Sequence, residues 1–168
     1  YEAQQNMSDV SSALSLGVHA QMPFAAALLA DFEQRWKDQP LVMDKWFSIQ
    51  ATSRQPELVP RIRELMAHPA FTLRNPNRVR ALIGAVVGGN PVRFHAADAS
   101  GYHLLADVVL ELNALNPQIA SRLVRTLSRW RRYDEGRRAL MQKQLERIRD
   151  TDGLSKDVLE IVSKSLEE

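Results

Sequence analysis

The sequence predicts an all-α chain: about nine antiparallel helices, stacked as hairpins into a degenerate α-α superhelix, an armadillo- or HEAT-like solenoid. Three observations lead there. Apolar residues recur at helical spacing, as Val79, Leu82, Ile83 and Val86 do at i, i+3, i+4 and i+7. Pro and Asn-Pro pairs punctuate the chain at short intervals. No alternating run of β-branched residues bounded by turns occurs, so no sheet is expected. The absence of a tetratricopeptide or ankyrin signature favours a degenerate stack over a consensus one.

Each element has a local cause. Asn6 or Ser8 can cap a helix to about residue 20, and Pro23 opens another to about residue 38. Pro40 opens a third through about residue 51, and the Pro56 to Pro60 region a fourth ending at His68-Pro69. Asn75-Pro76, Asn90-Pro91 and Asn116-Pro117 share one device, because Asn is a strong N-cap and Pro is tolerated at the first helical position. After the first comes a helix over 77–88, with Gly88-Gly89 as its stop. The second leads through Val92-Arg93-Phe94-His95 into a polar turn, Asp98-Ala99-Ser100-Gly101, and a helix over 102–114. The third opens a helix over 117–131; Asp134 caps one to about residue 150, and Ser155 caps the last to about residue 166.

Length and composition exclude several classes. The 168 residues, 45% apolar and 25% charged, match an ordinary globular domain, which rules out wholesale disorder. With no Cys there is no disulfide or thiolate chemistry, and His19, His68, His95 and His103 are too dispersed to suggest a zinc site. A net charge of +2 does not by itself call for nucleic acid or a membrane. Val10 to Ala30 carries no formal charge, yet its serines, His19, Gln21 and Pro23 argue against a spanning helix, so a soluble, cytoplasmic chain is expected. The opening Tyr1-Glu2-Ala3 suggests a piece excised from a longer protein.

Catalytic patterns are missing. There is no His-Glu-x-x-His, Gly-x-Ser-x-Gly, P-loop or dinucleotide fingerprint. His95 and His103 lack a third ligand at usable spacing, and Asp98, Asp107 and Glu111 read as a turn residue and a solvated helix face. Trp36, Trp46, Phe47 and Trp130 sit among aliphatics as packing residues. Between Arg122 and Arg149 ten basic residues face three acids, a solvated basic face before it is a phosphate-binding one.

The sharpest local feature is cationic. Arg78 and Arg80 follow Asn75-Pro76, and Gln118 and Arg122 follow Asn116-Pro117. A cation near a helix start opposes the helix dipole, so it needs an anionic partner. Gln118 and Arg122, at i and i+4, share a face suited to a carboxylate or peptide carbonyls, unless the arginines pair with acids on neighbouring helices.

At these segments the sequence resembles the C-terminal helical domain of bacterial aminopeptidase N, a zinc gluzincin. The blocks are 5–9, 41–53 (from Leu41-Val42-Met43-Asp44-Lys45-Trp46-Phe47-Ser48), 71–80, 89–96, 100–102 and 116–123 (Asn116-Pro117-Gln118-Ile119-Ala120-Ser121-Arg122-Leu123), in order over the whole chain. The resemblance implies the final part of an α-superhelical domain that caps a catalytic domain and encloses a cavity over its zinc. The zinc ligands, the general-base Glu and the other catalytic groups would lie upstream. Gln118 and Arg122, and less directly Arg80, would bind the peptide substrate beyond the scissile bond; no catalytic or metal-binding residue is expected here. By itself the chain would be inactive. The rival expectation is a free-standing solenoid module binding an acidic protein or RNA through residues 122–149.

Overall fold

A computed structural model describes residues 6–167; the opening Tyr1-Glu2-Ala3 and Gln5 of the first resemblance block lie outside them. Helices and turns account for these residues, with no strand among them. They form two compact units that meet in the sequence at Asn90 and Pro91, the second Asn-Pro break.

The first unit contains α1 (Met7–His19), α2 (Ala25–Trp36), α3 (Pro40–Ala51), α4 (Leu58–Met66), α5 (Pro76–Val79), a π turn (Arg80–Gly84) and α6 (Ala85–Gly89). Asn6 is the first cap, its side chain accepting the Asp9 N–H at 2.9 Å. Helix α2 starts at Ala25, two residues later than expected: Gln21 takes φ 53°, and the Ala25 N–H bonds to the Met22 carbonyl, which puts Pro23 inside the turn. Helix α3 is central, packing against α1, α2, α4 and the π turn. It buries Met43, Trp46 and Phe47, and the Trp46 indole N–H donates to the Leu29 carbonyl of α2 at 2.9 Å.

Asn75 caps α5 as expected, accepting from the N–H groups of Asn77 and Arg78. The helix expected over 77–88 is not a uniform α-helix, because a π turn occupies its middle. Val79, Leu82, Ile83 and Val86 are nonetheless all buried. The stop comes from the residue after the two glycines. Asn90 is buried and its amide donates to the carbonyls of Ala51 (3.1 Å) and Ser53 (2.6 Å), tying the break to the end of α3.

The second unit contains α7 (Pro91–Phe94), α8 (Ser100–Leu115), α9 (Pro117–Val124), a 3₁₀ segment (Arg125–Arg132), α10 (Glu135–Arg149) and α11 (Lys156–Glu167). Val92 and its neighbours, expected as a lead-in, form the short α7. Helix α8 begins at Ser100 and not Tyr102: Ala99 turns the chain at φ 61° and Asp98 accepts the Ser100 N–H at 2.9 Å. The helix expected over 117–131 tightens after Val124, where Trp130, Arg131 and Ser128 turn to the end of α11. The Trp130 indole donates to the Ser165 carbonyl at 2.8 Å, and Arg131 donates to the carbonyls of Ser165 and Leu166. These bonds satisfy carbonyls that a helix end leaves open. Asp134 caps α10 and Ser155 caps α11, both as the sequence indicates.

Candidate functional site

Asn116 accepts the Ile119 N–H at 3.2 Å and Pro117 takes the first helical position, so the α9 start follows from its own sequence. Ala120 and Val124 are buried, which sends the opposite face of α9 outward with Gln118 and Arg122 on it, both exposed. The structure therefore brings this i, i+4 pair together. Neither side chain has a hydrogen-bond or ion-pair partner among the described residues. Arg122 lies in the second turn of α9, so the dipole penalty argued from its closeness to Asn-Pro does not act on it with first-turn strength.

Arg80 belongs to the first unit and is described there. It is exposed, and its guanidinium donates to the Asn77 side-chain oxygen at 3.2 Å, with no acid paired to it among the described residues. Arg78, two residues earlier, takes the alternative considered for these arginines. Its side chain is 7% exposed, its Nε lies 3.3 Å from the Asp44 carboxylate of α3, and its guanidinium carbon sits 4.9 Å from the Phe47 ring centroid. Its Nε and one terminal nitrogen have no hydrogen-bond partner of good geometry among the described residues. Two residues apart on a helix means nearly opposite faces, so one arginine is buried and the other left exposed.

Asp44, Phe47 and Ser48 carry no local signature of a site, although they stand inside the 41–53 resemblance block. The Ser48 hydroxyl donates to the Ala81 carbonyl at 2.8 Å, across 33 residues of sequence. No local pattern signals a bond over that separation.

Two of the other candidates, His95 and Asp107, have structural partners. Both His95 ring nitrogens are engaged, Nδ1 with the Tyr102 hydroxyl at 2.7 Å and Nε2 with that of Tyr133 at 3.1 Å, and neither is left for a metal. Burial, reinforced by the Arg137 charge, holds the His95 imidazole below its ordinary value, and burial pushes the Tyr102 hydroxyl up to about 12. The folded state thus favours neutral His95, while the unfolded chain binds its proton more readily. That stability is complete above about pH 6.5 and is lost as pH falls through the lower folded value. The urea midpoint is expected to fall more steeply between about pH 7 and 5.5 in the parent chain than in His95→Gln; equal slopes would show that the imidazole is not the source.

Asp107 pairs with Arg147 at 2.7 Å, and within the basic stretch Arg137, Arg147 and Arg149 all meet acids of their own unit. Three of the ten positive charges between Arg122 and Arg149 are therefore locally compensated. Trp46, Phe47 and Trp130 are buried packing residues, and Trp36 lies half-buried against Phe32. Among the described residues no helix is long and apolar enough to cross a membrane.

Comparison with known proteins gives this helical chain its relatives. Aminopeptidase N of Escherichia coli is 44% identical over 166 residues, covering 99% of this chain and 19% of that protein. Aminopeptidase N of Haemophilus influenzae is 44% identical over 167 residues, with the same coverage of 99% and 19%. The crystal structure of Legionella pneumophila aminopeptidase A in complex with aspartic acid matches with a TM-score of 0.92 at 36% identity, over 97% of this chain and 19% of that one. The chain spans 19% of the length of each of these relatives. The family described as a domain of unknown function (DUF3458_C) with ARM repeats matches residues 1–167. Stacked helices started by Asn caps and prolines, matched over nearly every residue, make this chain a member of the DUF3458_C family of ARM-repeat domains.

Proposed function

We propose that the chain is the C-terminal part of a zinc-dependent aminopeptidase, where it caps the active-site cavity and controls access to it. Gln118, Arg122 and Arg80 supply peptide-binding groups beyond the scissile bond. The observation that carries this reading is the 44% identity to aminopeptidase N across 99% of the chain. The free Gln118–Arg122 pair supports it, since an exposed guanidinium beside an amide donor suits a carboxylate or a row of carbonyls. In this reading the zinc and its ligands belong to the rest of the parent protein. The work of this chain is to bind and orient substrate.

In the full-length enzyme, Arg122→Ala is expected to raise KM for peptides by about tenfold or more, the worth of a hydrogen bond to a charged group. KM for single-residue amides should change far less. Equal effects on both substrate types would remove the proposed role. The 168-residue chain by itself is expected to release nothing from an aminoacyl amide and to restore activity when added to the upstream part. Salt-sensitive RNA retention without complementation would support the interaction-module reading instead.

A further inference from the structure

We infer that the α3 face formed by Asp44, Phe47 and Ser48 is a positioning device for Arg80, acting through the π turn that begins at that residue. The inference rests on the reading of Arg80 as a peptide-binding group. A π turn closes its hydrogen bonds five residues apart instead of four, so it inserts one residue and offsets the side chains on its two sides by about 100°. Arg78 and Arg80 lie at or before this turn, whereas Leu82, Ile83 and Val86 lie in or after it. The offset therefore sets where Arg80 points while the buried stripe behind it stays in place.

Three contacts from α3 hold the turn. Asp44 lies 3.3 Å from Arg78, and Phe47 packs its ring 4.9 Å from the same guanidinium. These fix the end of α5, two residues before the π turn begins. Ser48, one turn after Asp44, gives its hydroxyl to the Ala81 carbonyl at 2.8 Å, inside the π turn itself. The Ala85 N–H bonds to the carbonyls of Arg80 and Leu82 and passes over that of Ala81, so the carbonyl that Ser48 holds stands outside the regular four-residue ladder, where an inserted side chain distorts a helix. Asp44 and Ser48 are four residues apart and so present one face to the segment they hold.

The test uses the full-length enzyme with Ser48→Ala, Ser48→Thr and Arg80→Ala. Ser48→Ala should raise KM for peptides about three- to tenfold with a much smaller change for a single-residue amide, and Ser48→Thr, which keeps the hydroxyl, should restore it. Arg80→Ala should shift KM in the same direction, and the Ser48→Ala/Arg80→Ala double variant should add little to it. A peptide KM raised by Arg80→Ala but untouched by Ser48→Ala would overturn the positioning role and leave the reading of Arg80 standing. Unchanged peptide binding in Arg80→Ala would overturn both. A crystal structure of Ser48→Ala decides the device without any assay: a regular α-helix over 80–84 supports it, and an intact π turn refutes it.

Discussion

Replacing Gly101 by alanine is expected to destabilise the second unit by about 3 kcal/mol or more, among the largest effects available to a single methyl group. Gly101 sits in the first turn of α8 and presses directly on α7. A Cβ placed there would lie 2.7 Å from the Phe94 Cα and 2.9 Å from its carbonyl carbon, with the Phe94 oxygen nearer still. All three are backbone atoms, so no side chain can swing away. Nor is the backbone free to retreat. Phe94 is fully buried, and Arg137 donates to the next carbonyl, that of His95, at 2.9 Å. Thermal unfolding should show Tm lower by about 6–12 °C, taking about 2–4 °C per kcal/mol for a chain of this size. A drop below about 2 °C would mean that α7 shifts freely on α8.

The second large effect is expected at the Asp44–Arg78 pair. Asp44→Ala removes the acid and leaves a guanidinium charge under Phe47, with a side chain only 7% exposed. Stranding a buried charge costs about 3–5 kcal/mol in well-enclosed pairs; about 3 kcal/mol is expected here, because the Asp44 side chain, 20% exposed, leaves water some access. Arg78→Met removes the charge and keeps the volume, so it should cost clearly less. Urea unfolding of the two variants gives the comparison. If Arg78→Met were the more damaging, the stacking of the guanidinium on Phe47 and not the burial of charge would hold α5 to α3.

Caps and prolines made much of the fold legible in advance. Asn6, Asn75, Asn116, Asp134 and Ser155 each accept an N–H at the helix start expected of them. Pro40, Pro76 and Pro117 stand at the first position of theirs. These interactions span two to three residues, so the sequence displays both partners side by side. The missed features draw on distant partners. The π turn needs Ser48 at Ala81, and the 3₁₀ segment ends against carbonyls some 35 residues on, at Ser165 and Leu166.

The candidate site divides the same way. Sequence placed Gln118 and Arg122 on one helical face, since a four-residue spacing settles that without any neighbour. It could not separate Arg78 from Arg80. Both follow Asn75-Pro76, and only the packing of α3 against α5 and the π turn puts one beneath Phe47 and Asp44 and leaves the other in solvent. By itself the sequence determined where helices begin and which faces are apolar, because those are set by hydrogen bonds and periodicities a few residues long. The tertiary structure alone decided where helices change pitch and which cations stay free, because burial and ion pairing depend on groups that only folding brings within a few ångströms of each other.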